Sequence, residues 1–403
     1  MVHSDAEEFP HFFITRKVFD RNMEQTKETG LYIHIPFCKQ KCFYCDFPSF
    51  ANQEQKQQAY VEVLQKELEQ KSALCADWNI KSIFFGGGTP TVLPTDALSR
   101  LLQTVFQNYS VLPDAEITIE ANPGTLDAAT CKALYDMGFR RLSMGVQAWQ
   151  DDLLQRLGRI HTRAQFLENY ANARKAGFTN INLDLMFALP KQTLADWIET
   201  LDAAIALQPE HISAYSLIVE EGTPFAQLYE NGTYQLTDED LDRNMYHIVV
   251  QKLTEAGYQQ YEISNFAKAG KQSVHNKIYW KDDCYLGFGL GAHSYWKDTR
   301  FHNSYDLAEY ITLGKNGRFP KEEKEILTQS EAYAEFMFMG LRMTEGVCKV
   351  RFLERFGVPI SEIYEAQLKQ LQTQGLLEET PTHYRLTSFG IDVSNQVFLA
   401  FLL

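Results

Sequence analysis

The stretch GLYIHIPFCKQKCFYCDF, residues 30–47, decides the fold and the chemistry of this chain. It joins a short apolar run to a loop that carries Cys38, Cys42 and Cys45. Three thiolates on one loop can hold three irons of a [4Fe–4S] cube, whereas ordinary electron-transfer clusters are held by four cysteines. The fourth iron then takes an external ligand. The spacing therefore predicts a reactive cluster at the end of the first strand.

A zinc site is the alternative for the same three cysteines. His34 could supply a fourth ligand and complete a Cys3His set. However, His34 lies within the predicted strand, and no second Cys-x2-Cys pair follows. The iron–sulfur interpretation is therefore favoured, and a zinc-stabilised binding scaffold is kept as an alternative.

Five further apolar runs follow at regular intervals, and helical patterns lie between them. The runs are IKSIFFGGG (80–88), EITIEANP (116–123), RRLSMGVQ (140–147), INLDLMFALP (181–190) and HISAYSLI (211–218). Strands that alternate with helices indicate a parallel sheet. A full eight-unit barrel needs about 250 residues, so six units that end near residue 257 predict a partial (βα)6 barrel. A doubly wound open sheet is the second possibility, and in both folds the chemistry lies at the carboxyl ends of the strands.

The chain divides into four predicted regions. Residues 1–29 form an N-terminal extension, 30–257 the partial barrel, 258–320 an aromatic connecting region, and 321–403 a smaller α+β domain. The segment GLLEETPTHYRLTSFGIDV (375–393) indicates a helix end, a hairpin and a helix, which is typical of a winged helix. Such modules often bind DNA, but this region has no basic surplus. We therefore expect packing or a protein partner, and no nucleic acid.

Composition excludes several classes of protein. The 403 residues are 45% hydrophobic and carry a formal net charge of −14, which argues against binding to a phosphate backbone. No apolar run is long enough to cross a membrane as a helix, and the N-terminus lacks the apolar core of a secretory signal. Three of the seven cysteines are clustered and four are scattered, unlike a disulfide framework. We expect a cytoplasmic protein with reduced thiols.

These motifs together resemble a known family. Besides residues 30–47 they are FFGGGTPT (84–91), ITIEANP (117–123), MGVQ (144–147), LDLMFALP (183–190), HNKIYW (275–280) and LGFGLGAHSYW (286–296). The chain resembles the radical S-adenosylmethionine (SAM) superfamily, in the branch of oxygen-independent coproporphyrinogen III oxidases and HemW-like haem chaperones. The resemblance implies a [4Fe–4S] cluster on Cys38, Cys42 and Cys45 whose open iron is chelated by SAM. One electron from the reduced cluster then splits the sulfonium bond.

The resemblance also implies a set of SAM contacts. Glycines allow close approach of a ligand to the backbone, although a glycine run can also be a turn that needs positive φ. A carboxylate in an apolar strand is costly without a partner, so a barrel-mouth acid is more often functional than a solvated strand end. Tyr44 matches an aromatic position near the adenine. The positions that fall on the family's SAM contacts are Tyr32, Tyr44, Gly87, Gly88, Thr89, Glu120, Gln147, Arg159 and Asp184.

Two features place the chain nearer the chaperones than the oxidases. Phe47 stands where the oxidase has a further cysteine, and HNKIYW matches the HNxxYW signature of the chaperones. An imidazole can ligate haem iron and aromatic rings can cover a porphyrin, so His275 is the predicted haem ligand. The alternative is a core histidine with satisfied hydrogen bonds. His293 is a second candidate, which we expect in the scaffold rather than on haem.

The predicted function is a haem chaperone with three cofactors: the cluster, SAM and haem. Its partners are a haem-accepting protein, such as a membrane-associated respiratory haemoprotein, and an electron donor. No catalytic side chain is assigned, and it is left open whether SAM is cleaved in this function. The alternative is an oxygen-independent coproporphyrinogen III oxidase.

Overall fold

The computed structural model describes residues 27–319 and 322–402, so nearly all of the predicted extension at 1–29 lies outside the described residues. The first part of the described chain alternates strands with helices. Its strands are β1 (Glu28–Ile35), β2 (Phe37–Cys38), β3 (Phe50–Ala51), β4 (Asn79–Gly87), β5 (Ser110–Ala121), β6 (Arg141–Gln147), β7 (Ile181–Phe187) and β8 (His211–Ser216). Its helices are α1 (Gln57–Lys71), α2 (Thr95–Asn108), α3 (Ala128–Met137), α4 (Asp151–Arg156), α5 (Arg163–Ala176), α6 (Leu194–Ala206), α7 (Pro224–Glu230) and α8 (Glu239–Glu255).

The sheet order confirms the partial barrel. Strands β1, β4, β5, β6, β7 and β8 lie side by side in chain order, and every neighbouring pair is parallel. The doubly wound alternative would require a reversal of strand order within this set, and no reversal occurs among these six strands. The carboxyl ends of all six therefore open at one mouth.

The two faces of the sheet differ in polarity. Leu31, Ile33 and Ile35 of β1 are completely buried in the apolar core between the sheet and the helices. The alternate residues Tyr32 and His34 face the interior of the barrel, because successive side chains of a strand point to opposite faces. Polar side chains continue this inner face on other strands, namely Ser82, Glu120, Ser143, Asn182, Asp184 and His211. The outer face of the barrel is thus apolar and packs against the helices, whereas the inner face carries hydrogen-bonded polar side chains.

The region 258–320, predicted as a weakly periodic connection, adds strands to both edges of the sheet. Its elements, with the strand that follows, are β9 (Gln259–Glu262), β10 (Asn265–Ala267), α9 (Val274–Trp280), β11 (Tyr285–Phe288), β12 (His293–Trp296), β13 (Thr299–His302), α10 (Leu307–Lys315) and β14 (Glu322–Ile326). The resulting order is β14-β13-β12-β11-β1-β4-β5-β6-β7-β8-β10-β9. Helix α9, which carries HNKIYW, packs on β1 and β4.

The C-terminal region has the predicted winged-helix-like pattern of helices and a hairpin. Its elements are α11 (Gln329–Gly340), β15 (Val347–Cys348), α12 (Lys349–Phe356), α13 (Ile360–Thr373), β16 (Leu377–Glu379), β17 (His383–Leu386), α14 (Ser388–Asp392) and α15 (Ser394–Leu399). A separate apolar core, which includes Phe352, Tyr364 and Phe401, holds these elements together. Within the described ranges, no helix is both long and apolar enough to cross a membrane.

Candidate functional site at the barrel mouth

The cysteine loop is fixed at its base and at its tip. At the base, Phe37 and Cys38 of β2 pair in parallel with Phe50 and Ala51 of β3. At the tip, the N–H of Phe43 donates to the carbonyl of Leu157 at 3.0 Å, and the carbonyl of Phe43 accepts from the N–H of Phe225 at 3.0 Å. The loop is therefore held across the mouth by the chain that follows β6 and β8.

The three thiols lie in one cavity and meet polar donors there. Thr89 Oγ1 donates to Cys38 Sγ at 3.5 Å, and Arg159 Nη1 donates to Cys42 Sγ at 3.5 Å. Burial raises the pKa of the Cys38 and Cys45 thiols, so these two give up protons when they bind a metal. All seven cysteines are free thiols.

The geometry does not favour the zinc alternative. Both ring nitrogens of His34 are occupied: Nδ1 lies 3.0 Å from the Tyr32 hydroxyl and Nε2 lies 2.9 Å from the Pro48 carbonyl oxygen. Among the described residues, no three His, Cys, Asp or Glu side chains are arranged as ligands of a single ion. A cluster places a different iron on each thiolate, so it does not require the three sulfurs to converge on one point.

Most of the predicted SAM residues line the same cavity as the thiols. The cavity, of about 140 Å³, is bordered by Cys38, Cys42, Cys45, Tyr44, Gly87, Gly88, Glu120, Gln147, Arg159 and Asp184. Thr89 lies just behind this wall and contacts it through Cys38. Tyr32 lies deeper on the inner face, buried near Glu120. The structure thus brings this predicted set together at the carboxyl ends of five strands.

The glycine run follows the contour of the cysteine loop. Gly87 has a φ of +111°, as a turn would require, and its N–H donates to Glu120 Oε2 at 3.1 Å. A Cβ on Gly88 would lie 2.7 Å from the Phe37 carbonyl oxygen and 3.0 Å from Cys38 Sγ. Gly87 therefore fits the turn explanation, and Gly88 lets the cysteine loop pack close to this turn; the approach of a ligand to the glycines stays a prediction.

Two carboxylates face the cavity, and the charge of Arg141 offsets the cost of their burial only in part. Burial, reinforced by the charge of Asp184, raises the pKa of Glu120 to about 8. Burial also raises the pKa of Asp184, although Asn182 Nδ2 at 2.7 Å and Ser143 Oγ at 3.0 Å donate to it. Paired buried carboxylates are stabilised by a cation. SAM carries a sulfonium and an ammonium, so the donor set of this cavity fits it.

Arg159 and Gln147 form hydrogen bonds between segments at different strand ends of the mouth. Arg159 Nη2 donates to Asn122 Oδ1 at 2.7 Å and to the Gly145 carbonyl. Gln147 ends β6 with a φ of +67°, and its Oε1 accepts from the Tyr215 hydroxyl at 3.1 Å. Cavity residues that were not predicted include Asn122, Ser143, Gly145 and Tyr215. Asn122 could have been found from its place in ITIEANP, two residues after Glu120.

The predicted haem ligand His275 does not lie in this cavity. Its ring is buried inside the barrel, with Nδ1 2.8 Å from Ser82 Oγ and Nε2 2.8 Å from the Tyr279 hydroxyl. It also stacks on Phe84, with ring centroids 5.0 Å apart. Ser82 precedes Gly87 by five residues along β4, which corresponds to roughly 16 Å. His275 is thus a satisfied interior histidine below the mouth, with its ring centroid 6.4 Å from that of Tyr32, and burial lowers its pKa to about 3.

His293 and Phe47 lie closer to solvent. His293 begins β12 in the sheet extension, as expected for a scaffold position, but its ring is exposed. The Phe47 side chain borders the cavity and is 60% exposed.

Comparisons with known proteins identify the family. Residues 32–204 match the radical SAM superfamily, and residues 327–393 match the HemN C-terminal domain. The chain is 41% identical to the haem chaperone HemW of Bacillus subtilis over 372 residues, which cover 92% of this chain and 98% of that relative. It is 36% identical to the haem chaperone HemW of Escherichia coli over 378 residues, covering 93% and 98%.

A solved structure shows the same fold. Coproporphyrinogen III oxidase (HemN) of Escherichia coli, a radical SAM enzyme, superimposes with a TM-score of 0.81 at 24% identity. The match covers 94% of this chain and 90% of the oxidase chain. At this identity the likeness establishes the architecture alone, including the arrangement of barrel and C-terminal domain.

Proposed function

The chain belongs to the HemW haem chaperone family within the radical SAM superfamily, and we propose that it binds haem and a SAM-ligated [4Fe–4S] cluster and passes the haem to an acceptor haemoprotein. The observation that carries the proposal is the mouth cavity, in which three thiols border the same space as two carboxylates and an arginine. Membership of a radical SAM family implies the cluster and SAM. The haem chaperone names of the relatives motivate the haem transfer.

Each mouth residue has a proposed task. Cys38, Cys42 and Cys45 hold the cluster, which when bound supplies an electron that can split the sulfonium bond of SAM. The backbone of Gly87 and Gly88 admits the methionine end of SAM, and Thr89 orients Cys38 through its hydrogen bond. The remaining contacts to SAM are assigned to Tyr32, Tyr44, Glu120, Gln147, Arg159 and Asp184.

Electrostatics gives the carboxylates and Arg159 distinct roles. Glu120 and Asp184 supply the negative charge that a cationic ligand compensates, and this lowers the cost of their burial. Arg159 spans Cys42, Asn122 and Gly145, so it can fix the cysteine loop against the ends of β5 and β6 while it faces the carboxylate of SAM.

Haem coordination by His275 stays a prediction with a structural condition. Both nitrogens of this ring are hydrogen-bonded, so helix α9 must give up the Ser82 and Tyr279 contacts before His275 can bind iron. The acceptor haemoprotein, the electron donor and a cytoplasmic location are likewise part of the proposal. Free thiols at all seven cysteines are consistent with that location.

The test combines haem binding with an assay for the oxidase. The cluster is reconstituted anaerobically, haemin is titrated while the Soret band is followed, and the same samples are assayed for conversion of coproporphyrinogen III. Stoichiometric haem binding without conversion is expected. The variant Cys42→Ala serves as the cluster-deficient control, since it should lose iron while it keeps the fold.

Three outcomes would overturn the proposal. No Soret change with haemin would exclude the chaperone function. Conversion of coproporphyrinogen III without tight haem binding would identify an oxidase despite Phe47. Zinc without iron in the purified protein would identify the zinc-stabilised scaffold.

A further inference from the structure

The strand register shows which side chains of β11, β12 and β13 lie on the same face of the sheet as the interior of the barrel. Gly30 of β1 pairs with Tyr285, Tyr285 pairs with Tyr295, and His293 pairs with His302. A Cβ on Gly30 would meet helix α9, so Gly30 belongs to the inner face. Paired residues share a face and side chains alternate along a strand. His293 and His302 therefore project from that same face, at the mouth ends of β12 and β13.

Histidines deeper on the inner face have no free ring nitrogen. The ring of His34 is held by Tyr32 and Pro48, and the ring of His275 by Ser82 and Tyr279. His211 follows the same pattern, with Nδ1 2.6 Å from Asn182 Oδ1 and Nε2 2.8 Å from the Tyr261 hydroxyl. These interior imidazoles serve the hydrogen-bond network of the barrel and are not placed to bind a metalloporphyrin.

The pair at the mouth has the opposite character. The His293 and His302 rings stack, with centroids 5.0 Å apart and an interplanar angle of 27°. His302 Nδ1 lies 2.9 Å from the Asn303 carbonyl oxygen, so Nδ1 carries the proton and Nε2 keeps its lone pair. That Nε2 makes no hydrogen bond within the part of the chain that the structure describes. A carbonyl that fixes the tautomer in this way is usual for metal-binding histidines.

His293 is also suited to bind iron. Its ring is exposed, and Nε2 lies 2.6 Å from the hydroxyl of Tyr305, a side chain that is itself 48% exposed. A ligand that binds His293 through Nε2 would take the place of the Tyr305 hydroxyl at that nitrogen.

The pair lies close to the cysteine loop. A Cβ on Gly291 would touch both the Tyr305 ring and Pro48, so Tyr305 and the segment that follows Cys45 flank the same glycine. Phe47, one residue before Pro48, is 60% exposed. Tyr305 and Phe47 thus present aromatic surface on the cluster side of the histidines, as a porphyrin face requires.

We propose that the His293–His302 pair at the barrel mouth, and not the buried His275, supplies the axial imidazole to haem iron. This inference rests on the proposed haem chaperone function and names the ligand that would serve it. An exposed ligand beside the cluster lets haem be captured and transferred without opening the barrel. His275 then acts as a structural residue that holds α9 on β1 and β4.

The experiment uses ferric haemin and the cluster-reconstituted full chain. Haemin affinity and the electron paramagnetic resonance signal of the haem are compared in the parent, the double variant H293A/H302A, His275→Gln and the control His383→Ala. We expect the double variant to bind haemin about tenfold more weakly or worse and to lose the parent signal of imidazole-ligated haem. Added imidazole should restore haem that co-elutes with the protein on gel filtration, because it replaces the missing ligand, whereas imidazole-ligated free haemin elutes separately.

Retained iron and SAM binding show that the double variant is folded. Parent-like haemin affinity and haem signal in H293A/H302A would refute the inference, as would loss of the parent signal in His275→Gln with imidazole rescue of protein-bound haem in that variant alone. No haemin binding by the parent would instead refute the proposed function itself. The two failures are thus distinguishable within one set of titrations.

Discussion

At the scale of single residues, the two carboxylates at the mouth are costly to bury, and a positively charged ligand lowers that cost. Glu120 and Asp184 lie near each other in the cavity, where they accept hydrogen bonds from an amide, a backbone N–H and a hydroxyl and feel the positive charge of Arg141. Neutral donors compensate buried charge only in part. A ligand with positive charge completes the arrangement, so ligand-free protein should be sensitive to the charge state of Glu120.

Stability of the ligand-free protein should therefore fall as pH rises. The folded pKa of Glu120, about 8, exceeds its ordinary value of 4.5, so the folded state binds this proton more tightly than the unfolded state. The associated stability is fully present below pH 4.5 and is lost as pH rises through 8. Glu120→Gln should flatten this loss and be more stable than the parent at pH 8 by about 2 kcal/mol, while it binds SAM more weakly.

Urea unfolding at several pH values between 5 and 8.5, with and without SAM, measures both effects. Glu378→Gln is the matched control, because Glu378 is exposed on the β16–β17 hairpin and paired with Arg385. An unchanged pH slope in Glu120→Gln would show that Glu120 does not carry buried charge.

Much of the mouth could be predicted from the sequence because strand ends are visible as breaks in apolar runs. Glu120, Gln147 and Asp184 each interrupt such a run, and the structure places them around one cavity. The burial of His275 could not be predicted, since the Ser82 and Tyr279 contacts depend on where α9 packs. The exposure of the His293 side chain could not be predicted either, because it depends on how β11, β12 and β13 pair.

At the scale of elements, the junction after β4 is the most constrained point of the mouth. Gly87 has positive φ, and a Cβ there would collide with the His34 ring. Gly138, which ends α3, has a similar φ of +116°, but a Cβ there would meet nothing within 4 Å. A comparison of alanine substitutions at the two glycines therefore distinguishes the cost of backbone strain from the cost of a steric collision.

Gly87→Ala should cost about 3 kcal/mol of unfolding free energy, and Gly138→Ala about 1 kcal/mol, since only the first adds a collision to the backbone strain. Gly87→Ala should also displace His34 from Pro48 and so loosen the segment after Cys45, which lowers the iron content after reconstitution. Chemical denaturation and iron analysis of both variants check this. Equal losses of stability would mean that the His34 ring moves aside freely.

The element pattern explains which part of the fold was predictable. Strands such as β6 and β7 stand out because an apolar residue recurs at every second position, as expected for strands with one face in the apolar core. The strands of the region 258–320 have three or four residues and include histidines and glycines. Such short segments obtain their strand conformation from pairing with β1 and β8, which no local pattern encodes.

At the scale of the whole molecule, the C-terminal domain is docked on the sheet extension by arginines. Arg355 donates to Asp282 Oδ2 at 2.6 Å and to Asp298 Oδ1 at 3.0 Å, and it also bonds the Tyr295 hydroxyl. Arg351 donates to Asp283 Oδ1 at 2.7 Å. These acids flank α9 and the β12–β13 hairpin. The domain therefore braces the two segments that carry HNKIYW and the mouth histidines.

Removal of Arg355 should consequently loosen the hairpin from a distance. Asp282 is almost fully buried in this pair, and a buried charge that loses its partner is destabilising. We expect Arg355→Ala to lose about 2 kcal/mol and to speed amide hydrogen exchange in β12 and β13, while β6 and β7 keep their protection. The control is Arg385→Ala, because Arg385 forms an exposed ion pair with Glu378 within the β16–β17 hairpin. This variant should leave exchange in β12 and β13 unchanged. If the hairpin in Arg355→Ala exchanges as slowly as in the parent, the sheet extension is rigid without the domain, and docking must serve a purpose other than holding the mouth histidines in place.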